Sequence, residues 1–228
     1  GIVVGAEPRE APPAGLRAAL GFLEPEPLIE GELAASLNWL ARGALVGKGK
    51  LAGLRFEARP ARVDEEEVKR SARADGASAE DVALLLAELK AARVREPDAL
   101  VIGADQLLVC EGRWFSKPPD MARAREQLLA LRGRAHTLVT AVTCFRAGHP
   151  VWHHVARPSL RMRAFGEAFL DAYLAAEGEA ALSGVGAYRL EGLGVHLFDR
   201  VDGEHAAILG LPLLPLLGFL RQHGVLLA

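Results

Sequence analysis

The sequence predicts an α/β domain in which a central mixed β-sheet is flanked by helices. Apolar runs with strand character alternate with amphipathic helical segments along most of the chain, as they do in α/β proteins. A predicted strand pair that turns near Gly148 forms a β-hairpin, which excludes a purely parallel sheet. Half of the 228 residues are apolar, which is enough for one sizeable core.

The first part of the chain has the weakest pattern. Residues 1–35 contain many prolines and are assigned to an N-terminal extension, with a single domain over residues 36–228. Leucines at helical spacing predict a helix over residues 32–45. A loop rich in glycine and lysine follows at residues 42–50, and the alternation in LRFEARPARV predicts a strand over residues 54–63.

The boundaries of the next helices carry recognisable signals. Ser78 precedes a helical segment with acids in its first turn and Lys90 near its end, a distribution that the helix dipole favours. Asp120 begins a further helix, which Gly133 ends. The remaining predicted elements are a charged surface segment at 64–77, strands at 98–112, 135–148, 149–165 and 192–201, a loop at 112–120, a helix at 166–178, a glycine-rich loop after it, and a terminal helix.

Composition and charge restrict the class of ligand and the compartment. The net charge of −2 gives no basic surplus for a nucleic-acid backbone, whereas a small anion needs only a local cluster of cations. Cys110 and Cys144 lie in apolar strands without metal-ligand spacing, so we predict buried thiols in a reducing, cytoplasmic compartment. Prolines and Arg221 interrupt the apolar segment 206–228, which predicts a buried helix and no membrane span.

A buried strand with polar residues in its middle gives the strongest indication of a site. Asp105 lies among Val, Ile and Leu residues, where a carboxylate is costly unless it is paired, hydrated or bound to metal. Alternatively it caps a nearby loop, and Gly103 permits a close backbone approach there. Lys117 lies in the SKPP loop, whose prolines restrict the backbone, and such an ammonium suits a phosphate oxygen.

Three other residues are ambiguous when each is considered alone. Glu65 belongs to an acidic run that is typical of a solvated surface, and Lys90 is favoured at a helix end by the dipole alone. Glu191 is flanked by glycines, so its carboxylate either accepts hydrogen bonds from a donor-rich ring edge or is solvated in a loop. Their interpretation depends on the motifs that accompany them.

Four motifs in order, GADQ, SKP, GAYRLEG and ILGLPLLPL, resemble those of the Maf-like nucleotide pyrophosphatases. The resemblance extends from about Leu54 to the C-terminus. It implies an elongated Maf- and ITPase-like α/β fold with a central mixed sheet. It also implies a house-cleaning enzyme that hydrolyses a nucleoside triphosphate between the α and β phosphates. The implied cofactor is a divalent cation, Mg²⁺ or Mn²⁺, and the implied assembly is often a homodimer.

The resemblance also implies residue roles around the phosphates. Asp105 would be the catalytic acid that accepts a proton from the attacking water, and it would hold the metal together with Glu65. Glu65 and Lys90 would face the substrate cleft, and Lys117 would hold phosphate. A metal ion and lysines together would neutralise the charge that develops on the leaving pyrophosphate.

Two further positions separate the subfamilies by substrate. Gln106 and Glu191 are similar to the branch that acts on 7-methyl-GTP, whereas the dTTP/UTP branch has ADT and a glutamine. A carboxylate suits guanine chemically, because the N1–H and N2–H₂ groups of guanine are donors. The resemblance therefore implies that Gln106 and Glu191 bind the nucleobase of a methylated guanine nucleotide.

One stretch departs from the family pattern. The family opens with a strand and a phosphate-binding loop resembling LASxSPRR, whereas this chain has LARGALVGKGKLAGL. Lys48 or Lys50 would replace the missing arginines, although lysine cannot form the bidentate contacts of a guanidinium. Two functions remain open: an active nucleotide pyrophosphatase, and a nucleotide-binding homologue with impaired catalysis. A structural, division-linked interaction protein would leave Asp105 unexplained.

Overall fold

The computed structural model describes residues 2–5, 47–51, 54–59 and 61–226, with side chains from Phe56 onward. Within these ranges the strands are β1 (Ile2–Gly5), β2 (Gly47–Leu51), β3 (Leu54–Ala58), β4 (Ala99–Cys110), β5 (Arg113–Phe115), β6 (Ala135–Arg146), β7 (His149–Ala156), β8 (Ser159–Met162) and β9 (Phe198–Asp202). The helices are α1 (Glu65–Ala74), α2 (Ala79–Ala92), α3 (Met121–Leu131), α4 (Glu167–Glu177), α5 (His205–Ile208) and α6 (Leu213–Gln222). Short 3₁₀ turns connect α4 to β9.

All the described strands belong to one sheet with the order β2-β3-β1-β4-β6-β8-β9, to which β5 and β7 add through β4 and β6. The predicted α/β class, with helices flanking a central sheet, is confirmed. Each pairing among the described strands is antiparallel, however, where mixed pairing was expected. The reason is the path after β4: the chain turns into β5 and α3 and enters β6 from the end where β4 stops, whereas parallel pairing needs a crossover back to the first end.

Three short strands lie in segments for which no strand was predicted. One is β5, in the predicted loop 112–120, where Arg113–Phe115 turn back to pair with the end of β4. Residues 2–5, within the predicted extension 1–35, form β1 between β3 and β4. Residues 47–51, predicted as part of a loop, form β2 and pair with β3 from Gly47 to Leu51. The helix predicted at 32–45 lies outside the described residues, and the boundary at residue 35 stays a prediction.

Most of the other predicted elements are confirmed with changed boundaries, but the helix α1 was not predicted. The charged segment at 64–77 contains α1, which Asp64 caps by accepting a hydrogen bond from the Glu67 amide at 3.0 Å. The segment predicted as one strand at 149–165 is divided into β7 and β8, and the strand predicted at 192–201 begins only at Phe198. The predicted terminal helix is two helices, α5 and α6, with Pro212 as the N-cap of the second.

Helices cover both faces of β4: α2 packs on the first face, and α3, α4 and α6 share the second. On one face, α2 packs through Val82 and Leu86 against Leu107 and neighbouring residues of β6. On the other face α6 covers one end of the strand, and α3 and α4 cover the other end. Along β4, Gln106 lies between the residues that belong to these two apolar clusters, and it is a member of neither.

The predicted burial of the two thiols and of the C-terminal helical segment is confirmed. Cys110 and Cys144 are both buried and form no disulfide, and burial raises the pKa of Cys144 to about 12. α6 is a ten-residue helix whose apolar side chains are largely buried. Among the described residues, no helix is both long and apolar enough to cross a membrane.

Candidate functional site

A charged cluster lies where α1 and α2 meet β4. The Lys90 ammonium, on α2, forms ion pairs with the Asp105 carboxylate on β4 and with Glu65 Oε1 on α1, the latter at 2.7 Å. The Asp105 side chain is 5% exposed, whereas that of Glu65 is 38% exposed. The sequence analysis assigned these three residues to one cleft, and the structure brings them together.

Local sequence explains why Lys90 reaches Asp105. Ser78 and Asp81 form a capping box that fixes the start of α2, as the sequence predicted for Ser78. Gly103 lets this helix lie directly on β4, because a Cβ atom at that position would be 2.1 Å from the Ala87 carbonyl oxygen. The helix therefore approaches the strand closely two residues before Asp105, and Lys90 follows Ala87 by about one turn.

The loop after β5 adds Lys117 to the same cluster. Ser116 donates a hydrogen bond to Glu66 Oε1 at 2.8 Å, which joins the loop to α1. Gln127 of α3 donates to the Ser116 carbonyl at 2.9 Å and holds the other side of the loop. Lys117 reaches the surface, but its ammonium lies within the charged cluster and is partly dehydrated there, and it interacts electrostatically with Glu65 and other charged groups. The structure thus places the predicted phosphate-binding lysine beside the predicted catalytic acid.

The cluster shifts the pKa values of its members in different directions. Burial raises the pKa of Asp105 above its usual range, although Lys90 opposes this effect. Burial also raises the pKa of Glu65, but Lys90 and two further lysines outweigh it and lower the value overall. Loss of hydration acts to lower the pKa of Lys90, but Asp105 and Glu65 outweigh it and raise the value, so this lysine stays charged.

The raised pKa makes the Asp105 carboxylate a stronger proton acceptor than an ordinary aspartate. A raised pKa brings a carboxylate closer to the pH at which proton transfer is most efficient. Its Oδ1 atom is bound by Lys90, while its buried Oδ2 atom accepts no hydrogen bond from the part of the chain that the structure describes. One oxygen is therefore fixed in place and the other remains for a water molecule, a metal ion or a substrate.

A second polar pocket contains the two residues that were predicted to bind the nucleobase. Gln106 and Glu191 line it together with Tyr188, Arg189 and apolar side chains from β6 and from the turn after α5. The Tyr188 hydroxyl lies 2.8 Å from His136 Nε2 in the buried floor. Arg189 donates to Glu177 Oε1 at 2.7 Å, and the Glu177 side chain is 3% exposed. These contacts hold the loop that carries Glu191.

The charged cluster and the second pocket lie on opposite faces of β4. Asp105 and Gln106 are consecutive in the strand, so their side chains point to opposite sides of the sheet. Among the residues that the structure describes, the strand has an open edge at this point, because β1 pairs with β4 only as far as Ile102 and β5 begins to pair at Leu108. In the described part of the chain, residues 103–107 pair with β6 alone, so a ligand at this edge can contact both faces.

Several residues of the site were not predicted from the sequence. Lys69 lies 3.8 Å from Glu65 and 3.1 Å from Glu66, and its position four residues after Glu65 on a helix was the signal that could have identified it. Tyr188 and Arg189 belong to the quoted GAYRLEG motif but received no role. The backbone of Lys48, predicted to bind substrate, belongs to β2, and its side chain lies outside the described residues.

Comparisons with known proteins identify the family. A sequence model of the family described as Maf-like protein matches residues 41–223. The chain is 61% identical over 177 residues to a nucleoside triphosphate pyrophosphatase of Granulibacter bethesdensis, covering 77% of this chain and 90% of that protein. A protein of the same name from Paramagnetospirillum magneticum is 54% identical over 177 residues (77% and 91% covered). A 7-methyl-GTP pyrophosphatase of Rhizobium meliloti is 48% identical over 177 residues (77% and 89% covered). The resemblance seen in the sequence is confirmed, and the chain belongs to the Maf-like protein family.

Proposed function

We propose that this protein is a nucleoside triphosphate pyrophosphatase that hydrolyses the bond between the α and β phosphates, with 7-methyl-GTP or another modified guanine nucleotide as its substrate. The observation that carries the proposal is the position of Asp105: a buried carboxylate, held by Lys90 through one oxygen, beside Lys117 and one residue before Gln106 of the second pocket. The relatives' names give the same reaction and the same substrate class.

The proposed reaction uses Asp105 as the proton acceptor. Its carboxylate takes a proton from a water molecule, whose oxygen attacks the α phosphorus. The bond from that phosphorus to the bridging oxygen breaks, and pyrophosphate leaves with the electron pair while the nucleoside monophosphate remains. Lys117 and Lys90 offset the negative charge that develops on the leaving group, because both ammonium groups lie in the same cluster as Asp105.

The predicted divalent metal fits the donor atoms of the cluster. Mg²⁺ and Mn²⁺ favour oxygen ligands, and Mg²⁺ is often bound by one or two carboxylates together with substrate phosphates. Asp105 Oδ2 and the Glu65 carboxylate would supply the protein oxygens. The described residues contain no group of three His, Cys, Asp or Glu side chains suited to a metal, so we propose that the ion binds together with the triphosphate. When bound, it would withdraw electron density from the phosphates.

The second function left open by the sequence was a nucleotide-binding homologue with impaired catalysis. The relatives at 61% and 48% identity carry enzyme names, and this favours an active protein. Activity also requires phosphate binding by the altered stretch at residues 40–54, where we retain Lys48 as a candidate ligand. Cytoplasmic location, which follows from the pattern of the two cysteines, and a homodimer, which the family resemblance implies, stay predictions.

The experiment is pyrophosphate release from a panel of nucleoside triphosphates with Mg²⁺ or Mn²⁺, including 7-methyl-GTP, GTP, UTP and dTTP. Asp105→Asn should lower kcat by about 10²- to 10⁴-fold, because it removes the proton acceptor while keeping the shape of the side chain. Asp199→Asn is the matched control, since Asp199 is exposed on β9 and outside both pockets. Tight nucleotide binding by the unsubstituted protein without pyrophosphate release would favour the impaired homologue instead.

A further inference from the structure

The side-chain amide of Gln106 is held by a hydrogen-bond network in which Thr140 is the central side chain. Gln106 Nε2 lies 2.8 Å from Thr140 Oγ1, 3.0 Å from the Ala207 carbonyl oxygen and 3.1 Å from the Ile208 carbonyl oxygen. The Thr140 hydroxyl donates to the Ala207 carbonyl at 2.9 Å and therefore accepts from Gln106. Thr140 is completely buried and lies directly opposite Gln106 in the β4–β6 pairing.

This network determines which end of the amide faces the pocket. Both carbonyl oxygens are acceptors, so they require the NH₂ end of Gln106 and repel its oxygen. The hydroxyl of Thr140 has its proton committed to Ala207 and offers only a lone pair. A flipped amide would place its oxygen against the two carbonyl oxygens, and the Thr140 hydroxyl could donate to it only by giving up its bond to Ala207. The oxygen of Gln106 accepts no hydrogen bond from the described residues, and it is the end left for the pocket that Gln106 lines.

We infer that Thr140 is a positioning residue, which fixes the Gln106 amide so that its oxygen and the Glu191 carboxylate form a pair of acceptors in one pocket. Such a pair selects a nucleobase edge that carries adjacent donors, as guanine does with N1–H and N2–H₂. The inference rests on the proposed function, and it adds a structural basis for the selectivity toward one nucleobase. Thr140 is the only side chain among the described partners of the amide, since the others are backbone atoms that a substitution leaves in place.

The test compares GTP with ITP, two nucleotides that differ only in the exocyclic amino group at C2. The GTP:ITP ratio is measured both as kcat/KM and as binding affinity by calorimetry, so that it does not depend on turnover. The unsubstituted protein should prefer GTP. ITP lacks the amino group at C2, so the acceptor atoms that bind this group would be left without a donor. Thr140→Val should lower this ratio by about three- to tenfold, the equivalent of one neutral hydrogen bond, and mainly through KM.

Two matched variants separate positioning from general damage. Thr140→Ser keeps the hydroxyl and should preserve the GTP:ITP ratio. Thr143→Val removes a hydroxyl from an equally buried threonine of β6, which donates to the Trp152 carbonyl at 3.1 Å and lies outside the pocket. It should lower stability by a similar amount while leaving the ratio unchanged. An equal change of the ratio in Thr143→Val would contradict a specific role for Thr140.

The inference is overturned if folded Thr140→Val keeps the full GTP:ITP ratio, or if the unsubstituted protein does not distinguish the two nucleotides. Should Thr140→Val fail to fold, Gln106→Met provides the same test, because methionine has a similar length and no acceptor oxygen. An unchanged ratio in that variant also overturns the inference. A protein that prefers GTP in binding but hydrolyses no nucleotide would contradict the proposed function and leave the assignment of Thr140 standing.

Discussion

Replacing Lys90 by methionine tests the charged cluster most directly. Methionine is unbranched, of similar length and favourable in helices, so Lys90→Met removes the ammonium with little change in packing or helix propensity. The substitution leaves the buried Asp105 carboxylate without its closest cation, and it leaves Glu65 with Lys69 at 3.8 Å. We expect a large loss of stability, because the buried Asp105 carboxylate is left without its paired cation. The other members of the cluster should contribute little to it.

The magnitude follows from how deeply each group is buried. Breaking a buried ion pair by removing one partner costs about 3–5 kcal/mol. The side chains of Lys90 and Asp105 are 20% and 5% exposed, so the pair belongs to this class, whereas Glu65 at 38% is hydrated enough to contribute little. We therefore expect Lys90→Met to lower the free energy of unfolding by about 3 kcal/mol at pH 7.

The assay is urea denaturation in EDTA, with two companion variants. Lys90→Met combined with Asp105→Asn removes both charges and should recover most of the loss, because no ionised group is left buried. Lys69→Met is the matched control: the Lys69 side chain is 13% exposed, but the carboxylates that it contacts are at least 38% exposed. This control should lose less than about 1 kcal/mol.

The pH dependence gives an independent check with a defined sign. Burial already raises the pKa of Asp105, and removing Lys90 raises it further. The unfavourable burial of an ionised Asp105 exists only above its folded pKa, so the loss in Lys90→Met should shrink as the pH falls through that value. A loss that is independent of pH, or a double variant as unstable as the sum of its parts, would refute the assignment of a buried Lys90–Asp105 pair.

Three further predictions concern the rest of the site. Loss of hydration and the nearby Lys90 charge lower the pKa of Lys117, so this lysine should lose its charge at a lower pH than an ordinary lysine does. The KM for the triphosphate should rise as that charge is lost. Lys117→Arg, which does not titrate, should abolish this rise in a series of KM measurements between pH 7 and 10. Glu191→Gln should shift kcat/KM from 7-methyl-GTP toward UTP, because an amide adds a donor where guanine presents donors; an unchanged ranking removes Glu191 from base recognition. Burial lowers the pKa of His136 from 6.5 to about 4, so only the unfolded chain takes up a proton in this interval and stability falls as the pH falls. Between pH 7 and 5 this amounts to about 2 kcal/mol, and a His136→Gln variant studied by urea denaturation should lack that slope.

Asp105 and Lys117 could be predicted from local signals in the sequence, whereas Glu65 and Lys90 were assigned to the cluster only through the family resemblance. Asp105 interrupts an apolar strand, the SKPP loop follows the same strand, and Ser78 with its acidic neighbours begins the helix that carries Lys90. The contact that joins them had no local signal of comparable strength. It depends on Gly103, whose missing side chain lets α2 approach the strand, and this approach is visible only once the Ala87 carbonyl is in place.

Other features could not be predicted because they depend on contacts that are distant in sequence. The helix α1 has no buried residue, so it lacks the apolar periodicity by which a helix is identified, and its caps were the only signal. The antiparallel order of the sheet follows from which strands are neighbours, and local patterns do not contain this information. Thr140 is one of several threonines in an ordinary strand, and only the β4–β6 register places it opposite Gln106.

The alternation of side chains along β4 separates two residues that were predicted to share one site. Asp105 and Gln106 were assigned to one site, yet consecutive strand residues must face opposite sides of a sheet. A single ligand can reach both only at an edge, and β4 has such an edge between the last pair with β1 at Ile102 and the first pair with β5 at Leu108, within the described residues. A shift of β4 by one residue would exchange the faces of acid and amide. The pairing of Gln106 with Thr140 therefore fixes which face carries the proposed proton acceptor and which carries the proposed base-binding amide.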